Sequence, residues 1–181
     1  MTKYIALLRG INVGGKRKVL MADLSLIFSK LGFSNCITYI QSGNIIFDTD
    51  GQKNNSQLAE TIQKAILDHY QFEVPVMVRK LNEWTQTIKE NPFFNDSSIS
   101  IDQLHLTLLD KSPEEELISK LRTMDLGDDE FVVIGQDVFI CCKGKYSQSK
   151  LTNTLFEKKL DCQATTRNWK TVLKLSELGT E

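Results

Sequence analysis

Two short segments rich in turn formers, Gln41-Ser42-Gly43-Asn44 and Gly135-Gln136-Asp137, each divide a pair of β-rich runs, and helical periodicity flanks both pairs. A hairpin set between helices admits few architectures, because its strands must bury one face against those helices. In the first half, residues 4–8 form a short apolar run closed by Arg9-Gly10, which predicts a buried strand. Leu24, Ile27, Phe28 and Leu31 recur at helical spacing, with Gly32 placed to end the helix. The hairpin runs are 36–40 and 45–47, with the glycine and asparagine between them supplying the positive φ of a tight turn. Leu58, Ile62, Ala65, Ile66 and His69 mark a second helix, and 74–78 a further strand. The order β-α-β-β-α-β is that of a ferredoxin-like unit.

The second half repeats much of this order. A helix over 83–89 is ended by Asn91-Pro92, since the residue before proline is driven out of the helical region. A strand over 104–109 follows, then a helix opened by Ser112-Pro113-Glu114-Glu115, then strands over 131–134 and 138–142. Two helical patterns close the chain, over 150–160 with Ser149 as cap and over 167–178 with Thr166 as cap. The prediction is an α+β protein of two sub-domains, each a ferredoxin-like or related β-α-β-β-α unit with an antiparallel sheet. The first spans 1–80, and the second, 81–181, packs on it.

A chain of 181 residues with 41% hydrophobic and 25% charged residues can bury a core without staples. Cys36, Cys141, Cys142 and Cys162 show no metal-ligand spacing, and the first, second and third fall in apolar runs where a thiol acts as a small hydrophobe. His69 and His105 have no third ligand at a recognisable spacing, so no metal and no cofactor are expected. The longest apolar stretch near the start is five residues, too short for a signal or a membrane span. A reduced, cytoplasmic setting follows as the expectation.

Net charge is −1, but the charges are segregated along the chain. Residues 1–20 carry five basic groups and no acidic one, 90–142 carry three basic and twelve acidic, and 143–174 carry eight basic and two acidic. Two basic stretches distant in sequence can meet on one face and hold an anion, or each can be a solvated surface.

The turn after the first strand reads Gly10-Ile11-Asn12-Val13-Gly14-Gly15-Lys16-Arg17, which fits GxxxxGK and departs from a phosphate-binding loop at the next position. Arg17 stands where serine or threonine would ligate magnesium, and the helix begins near Met21 rather than at the lysine. Nucleotide hydrolysis is set aside, leaving a plain glycine turn or an anion-contacting one. Ser147-Gln148-Ser149-Lys150 matches SxxK without the companion motifs of serine acyl-transferases, so serine catalysis is set aside too. Trp84 and Trp169 lie on amphipathic patterns, as core or interface anchors do.

The segments LLRGINVGGK, TYIQSGNIIF, Asn91-Pro92-Phe93, Ser149-Lys150-Leu151 and ATTRNWKTVLKL together resemble a bacterial domain-of-unknown-function family of about this length. The resemblance spans the chain. It implies a small cytoplasmic protein with two ferredoxin-like sub-domains and transfers no activity.

Polar residues at turns and strand ends within these segments are the candidate ligand-binding set. They are Arg9, Asn12, Gly14, Gly15 and Lys16 after the first strand, and Gln41, Ser42 and Asn44 in the hairpin. Ser149, Lys150, Arg167, Asn168 and Trp169 complete the set in the C-terminal part. The competing reading of each is turn or capping chemistry. Three functions stand: a binding module for an anionic ligand (a phosphorylated metabolite, a nucleotide or RNA), a small-molecule enzyme with a pocket between the sub-domains, or a structural or dimerising role with no ligand. No catalytic residue can be named.

Overall fold

The N-terminal apolar run forms β1, Thr2–Leu8, the central strand from which the first sheet is built. In this computed structural model, which describes all residues Met1–Glu181, the chain divides into two units. One comprises Met1–Gln86 with Lys174–Glu181, the other Thr87–Leu173.

In the first unit β1 is followed by α1 (Met21–Lys30), β2 (Ser34–Tyr39), β3 (Asn44–Thr49), α2 (Asn55–Tyr70) and β4 (Val76–Lys80). The sheet order is β2-β3-β1-β4 and every pair is antiparallel. Tyr4, Ala6 and Leu8 of β1, with Ile45 and Phe47 of β3 and Val76 and Val78 of β4, pack against Leu24, Ile27 and Phe28 of α1 and Leu58, Ile62 and Ile66 of α2. Ile5, Leu7, Ile46, Met77 and Arg79, on the other face, are buried as well. A strand buried on both sides needs apolar residues at every position, which is why the run from Tyr4 does not alternate. The Asn54 side chain and Gln57 form a reciprocal capping box that starts α2, and Gln71 in the left-handed region ends it.

The second unit has β5 (Leu104–Leu109), α4 (Glu115–Arg122), β6 (Glu130–Ile134), β7 (Asp137–Cys141), α5 (Asn153–Leu160) and β8 (Ala164–Asn168), with sheet order β6-β7-β5-β8, again all antiparallel. Its core joins Leu109, Val138, Ile140 and Ala164 of the sheet to Ile118 and Leu121 of α4 and Phe156 and Leu160 of α5. α3 (Leu81–Glu90) follows β4, and α6 (Trp169–Thr180) follows β8. The sequence places the boundary after Lys80, whereas the division of the chain falls after Gln86, inside α3, and again after Leu173, inside α6.

The chain is therefore the same βαββαβα topology twice, in matching register. Leu8 N–H donates to Gly43 O and Leu109 N–H to Gln136 O, both at 2.8 Å. Leu7 stands opposite Asn44, and Leu108 opposite Asp137. Ile5 stands opposite Arg79, and Leu106 opposite Arg167.

The last strand is the main departure from the sequence reading. Residues predicted to open a helix capped by Thr166 instead pair along β5, with Thr107 opposite Thr166 and Leu106 opposite Arg167. Two β-branched threonines favour the pleated conformation, and the Thr166 and Thr107 hydroxyls bond at 2.6 Å across the ladder. The cap of α6 is Asn168, whose Oδ1 accepts from Thr171 N–H at 2.8 Å. In the same way α5 begins at Asn153 under a Thr152 cap, not at Lys150 under Ser149, because the fully buried Leu151 first pins the loop to the core. The residue at the N-cap position of α4 is Glu114 rather than Ser112, and its side chain makes no capping hydrogen bond. In the first hairpin positive φ falls on Ile40 and Gly43, not on Asn44, which is already the first residue of β3.

Candidate functional site

Residues 10–18 project from the end of β1 as a small two-stranded arm. Val13 and Lys16 form an antiparallel bridge around Gly14-Gly15, both at positive φ (58° and 74°), the conformation a two-residue hairpin turn of the primed kind requires. Asn12 and Arg17 flank it, also at positive φ, and Asn12 N–H donates to Arg17 O at 3.2 Å.

The base of the arm is braced. Asn12 Nδ2 donates to Val19 O at 3.0 Å and to Gln41 O at 2.8 Å, while its Oδ1 accepts from Val19 N–H at 2.9 Å. Buried Ile11 and Val19 anchor the two stems. Leu20 N–H donates to the Tyr70 hydroxyl, which in turn donates to Asp23 Oδ2. Asn44 is buried, with Nδ2 donating to Tyr39 O at 2.8 Å and Ser42 Oγ at 3.0 Å. Gly43 lies so close beneath β1 that a Cβ there would stand 2.7 Å from both Leu8 Cβ and Ile11 Cδ1.

Within the first unit the structure thus unites Asn12 and Gln41 by a direct bond, and Ser42 and Asn44 by another. Asn12 and Asn44 are engaged with their own chain. Arg9, half-buried, has its N–H on Pro75 O at 2.9 Å. Gly14, Gly15 and Lys16 lie in the open at the tip, beside Val13, which is 69% exposed. Lys16, Arg17 and Lys18 are all exposed and make no ion pair, and the Arg17 guanidinium lies over Gly10, 3.7 Å from where its Cβ would be.

The candidates in the second unit lie in different settings. Ser149 Oγ accepts from Leu151 N–H at 3.0 Å, and Lys150 Nζ donates to Asp125 O at 3.1 Å with Asp125 Oδ2 at 3.6 Å. Both border a cleft of about 230 Å³ that is also lined by Asp128, Asp129, Lys143 and Lys145. Arg167 is buried on β8, its Nη1 donating to Thr165 Oγ1 and Thr166 O, and burial pulls its guanidinium down to about 10. Asn168 is an exposed cap, and Trp169 is fully buried against Phe94 and Phe139. Arg167 lies in β8 opposite Leu106, not in the first turn of a helix.

The second basic stretch is neutralised in part by the acidic one, while Lys145, Lys158 and Lys159 are exposed and make no ion pair. Lys143 pairs with Glu130 at 2.6 Å, Lys150 with Asp125, and Lys170 with Asp102 at 2.6 Å. The segregation visible along the sequence is reduced in this unit by three cross-stretch pairs, while the three consecutive cations of the arm have none. Burial raises the thiols of Cys142, to about 11, and Cys162, to about 12, so neither is a nucleophile at neutral pH.

Arg79, equivalent to Arg167 by ladder position, was not legible as a candidate. A single cation at the end of an apolar strand reads as the strand's edge, yet Arg79 is buried, with Nη1 donating to Val78 O at 3.0 Å.

No helix is long and apolar enough to cross a membrane. The sequence model of a family described as protein of unknown function (DUF1697) matches residues 1–139. The fold is similar to that of a conserved bacterial protein from Streptococcus pneumoniae, 26% identical, with 98% of each chain covered and a TM-score of 0.74. Among curated proteins none matches this chain.

Proposed function

This chain belongs to the DUF1697 family of proteins of unknown function, and from that premise we propose that it is a binding module for an anionic ligand, RNA, held through its phosphates by the arm at residues 10–18. The observation that carries this reading is that Lys16, Arg17 and Lys18 are exposed on a braced arm and unpaired, whereas Lys143, Lys150 and Lys170 are each neutralised by a carboxylate. Cations held in position without a counter-charge attract an external polyanion and release its condensed counterions.

A projecting arm favours a polymer over a small metabolite, which needs a concave wall to bury most of its surface. The buried tyrosine and phenylalanine of the first sheet, Tyr4 and Phe47, stack on each other in the core at 5.6 Å and offer no face to bases. Recognition would therefore be of the backbone, tolerant of sequence and sensitive to salt.

The test is fluorescence anisotropy of a labelled single-stranded RNA across a salt series. Three phosphate contacts predict a slope of log affinity on log salt of about −2. Lys16→Ala with Lys18→Ala, which spares the positive-φ position of Arg17, reduces that slope by roughly 1. A flat salt dependence, or an affinity indifferent to the double substitution, overturns the reading.

A further inference from the structure

We infer that the arm selects single-stranded over duplex RNA, with Val13 and Ile40 seated against unstacked bases while Lys16, Arg17 and Lys18 hold the adjoining phosphates; the inference rests on RNA being the arm's ligand. Residues 10–19 contain three branched apolar residues, Ile11, Val13 and Val19. Ile11 and Val19 are buried and anchor the stems. Val13 is 69% exposed, beside Gly14 and Gly15, around whose Cβ positions there is open space.

The bridge fixes what stands next to Val13. Val13 and Lys16 are opposed in an antiparallel pair, with Lys16 N–H donating to Val13 O at 3.1 Å. Opposed residues share one face of a two-stranded ribbon with their Cβ atoms about 5 Å apart, so an apolar group and a cation are presented together. A nucleotide offers the matching pair, the face of a base and the phosphate beside it. In a duplex that face is closed by stacking, so both are open at once only in a single strand.

Ile40 adds a second apolar contact. It precedes Gln41, whose carbonyl accepts from the Asn12 carboxamide, so Ile40 and Val13 each lie one residue from that bond. Ile40 has a φ of 49°, a left-handed conformation that β-branched residues rarely adopt, and yet its side chain is 47% exposed. The fold gains little burial from an isoleucine at a position where asparagine or glycine would be unstrained. Backbone strain of this kind collects at ligand contacts.

The experiment compares labelled oligouridine with a blunt-ended RNA duplex of the same length, by fluorescence anisotropy of the full chain across a salt series. Phosphate contact alone favours the duplex, whose charge density is the greater, so tighter binding of oligouridine by the wild-type chain is the expected signature. Val13→Thr keeps the branched shape and should weaken oligouridine binding about fourfold, the worth of one apolar carbon, with the salt slope and the duplex affinity unchanged. Ile40→Asn should weaken it similarly while raising the thermal midpoint, since asparagine tolerates the left-handed region. Tighter duplex binding with a steep salt slope, or an oligouridine affinity indifferent to either substitution, overturns this selectivity and leaves the arm's phosphate contacts standing. A flat salt dependence overturns the RNA reading and the selectivity with it, as does Val13-dependent binding of phosphatidylserine vesicles without binding of oligouridine.

Discussion

The Asn12 carboxamide pairs with the Val19 peptide as one strand pairs with another, Nδ2 donating to Val19 O at 3.0 Å while Oδ1 accepts from Val19 N–H at 2.9 Å. A third bond, to Gln41 O, ties the arm to the first hairpin. Asn12→Ala should destabilise the protein by about 1–3 kcal/mol, because it leaves the buried Val19 N–H without an acceptor. Asn12→Gly, which tolerates the φ of 56°, should recover only the backbone part of that loss. Urea unfolding midpoints of the two variants measure the difference, and equal stability of both with wild type would show that the brace contributes nothing.

Two glycines at positive φ should respond differently to a methyl group. At Gly14 a Cβ meets open space, so Gly14→Ala costs only the left-handed backbone penalty, on the order of 1 kcal/mol. At Gly43 the Cβ would stand 2.7 Å from Leu8 and Ile11, so Gly43→Ala should cost about 1–3 kcal/mol more. Thermal or urea unfolding of the pair checks the order, which should not reverse.

The cap of α6 is Asn168, so Asn168→Ala should cost about 1 kcal/mol. Thr166→Val keeps the strand's β-branched shape and loses the hydroxyl contacts to Thr107 and to Asn153 Oδ1. It should destabilise by a similar amount, roughly 1–2 kcal/mol, through the strand ladder rather than the helix start. Backbone amide exchange separates the two, with protection lost in the first turn of α6 for Asn168→Ala and along β5 and β8 for Thr166→Val.

His105 introduces a pH dependence. Burial lowers its pKa below the usual 6.5, with a weaker opposing effect from Gln103 O, which lies 3.4 Å from Nδ1. Below pH 6.5 the unfolded chain binds a proton that the folded chain does not, down to the depressed folded value. The contribution of the neutral, Tyr146-stacked ring is therefore complete above pH 6.5 and declines as pH falls beneath it. The stability difference between wild type and His105→Gln should shrink on going from pH 7.5 to about 5.5. A difference that is constant across that range would show that His105 titrates alike in both states.

Local chemistry made much of the fold readable. The helical spacing of Leu24, Ile27 and Phe28, the unbroken apolar run at β1 and the turn formers at 41–44 and 135–136 are each interpretable within a few residues, because dihedral preference and amphipathic period are short-range properties. The same properties failed at 164–168. Those residues carry no period of their own, and only the open side of β5 made them a strand rather than the start of α6.

Sequence by itself established the α+β class, the two hairpins and a basic glycine turn after the first strand. Tertiary structure alone decided that the two halves repeat one topology in register, that Arg79 and Arg167 occupy equivalent buried positions, and which lysines are neutralised. Register and ion pairing depend on which backbone lies alongside and which carboxylate arrives from a distant segment. A linear charge count therefore could not tell the partly compensated stretch at 143–174 from the uncompensated arm at 10–18.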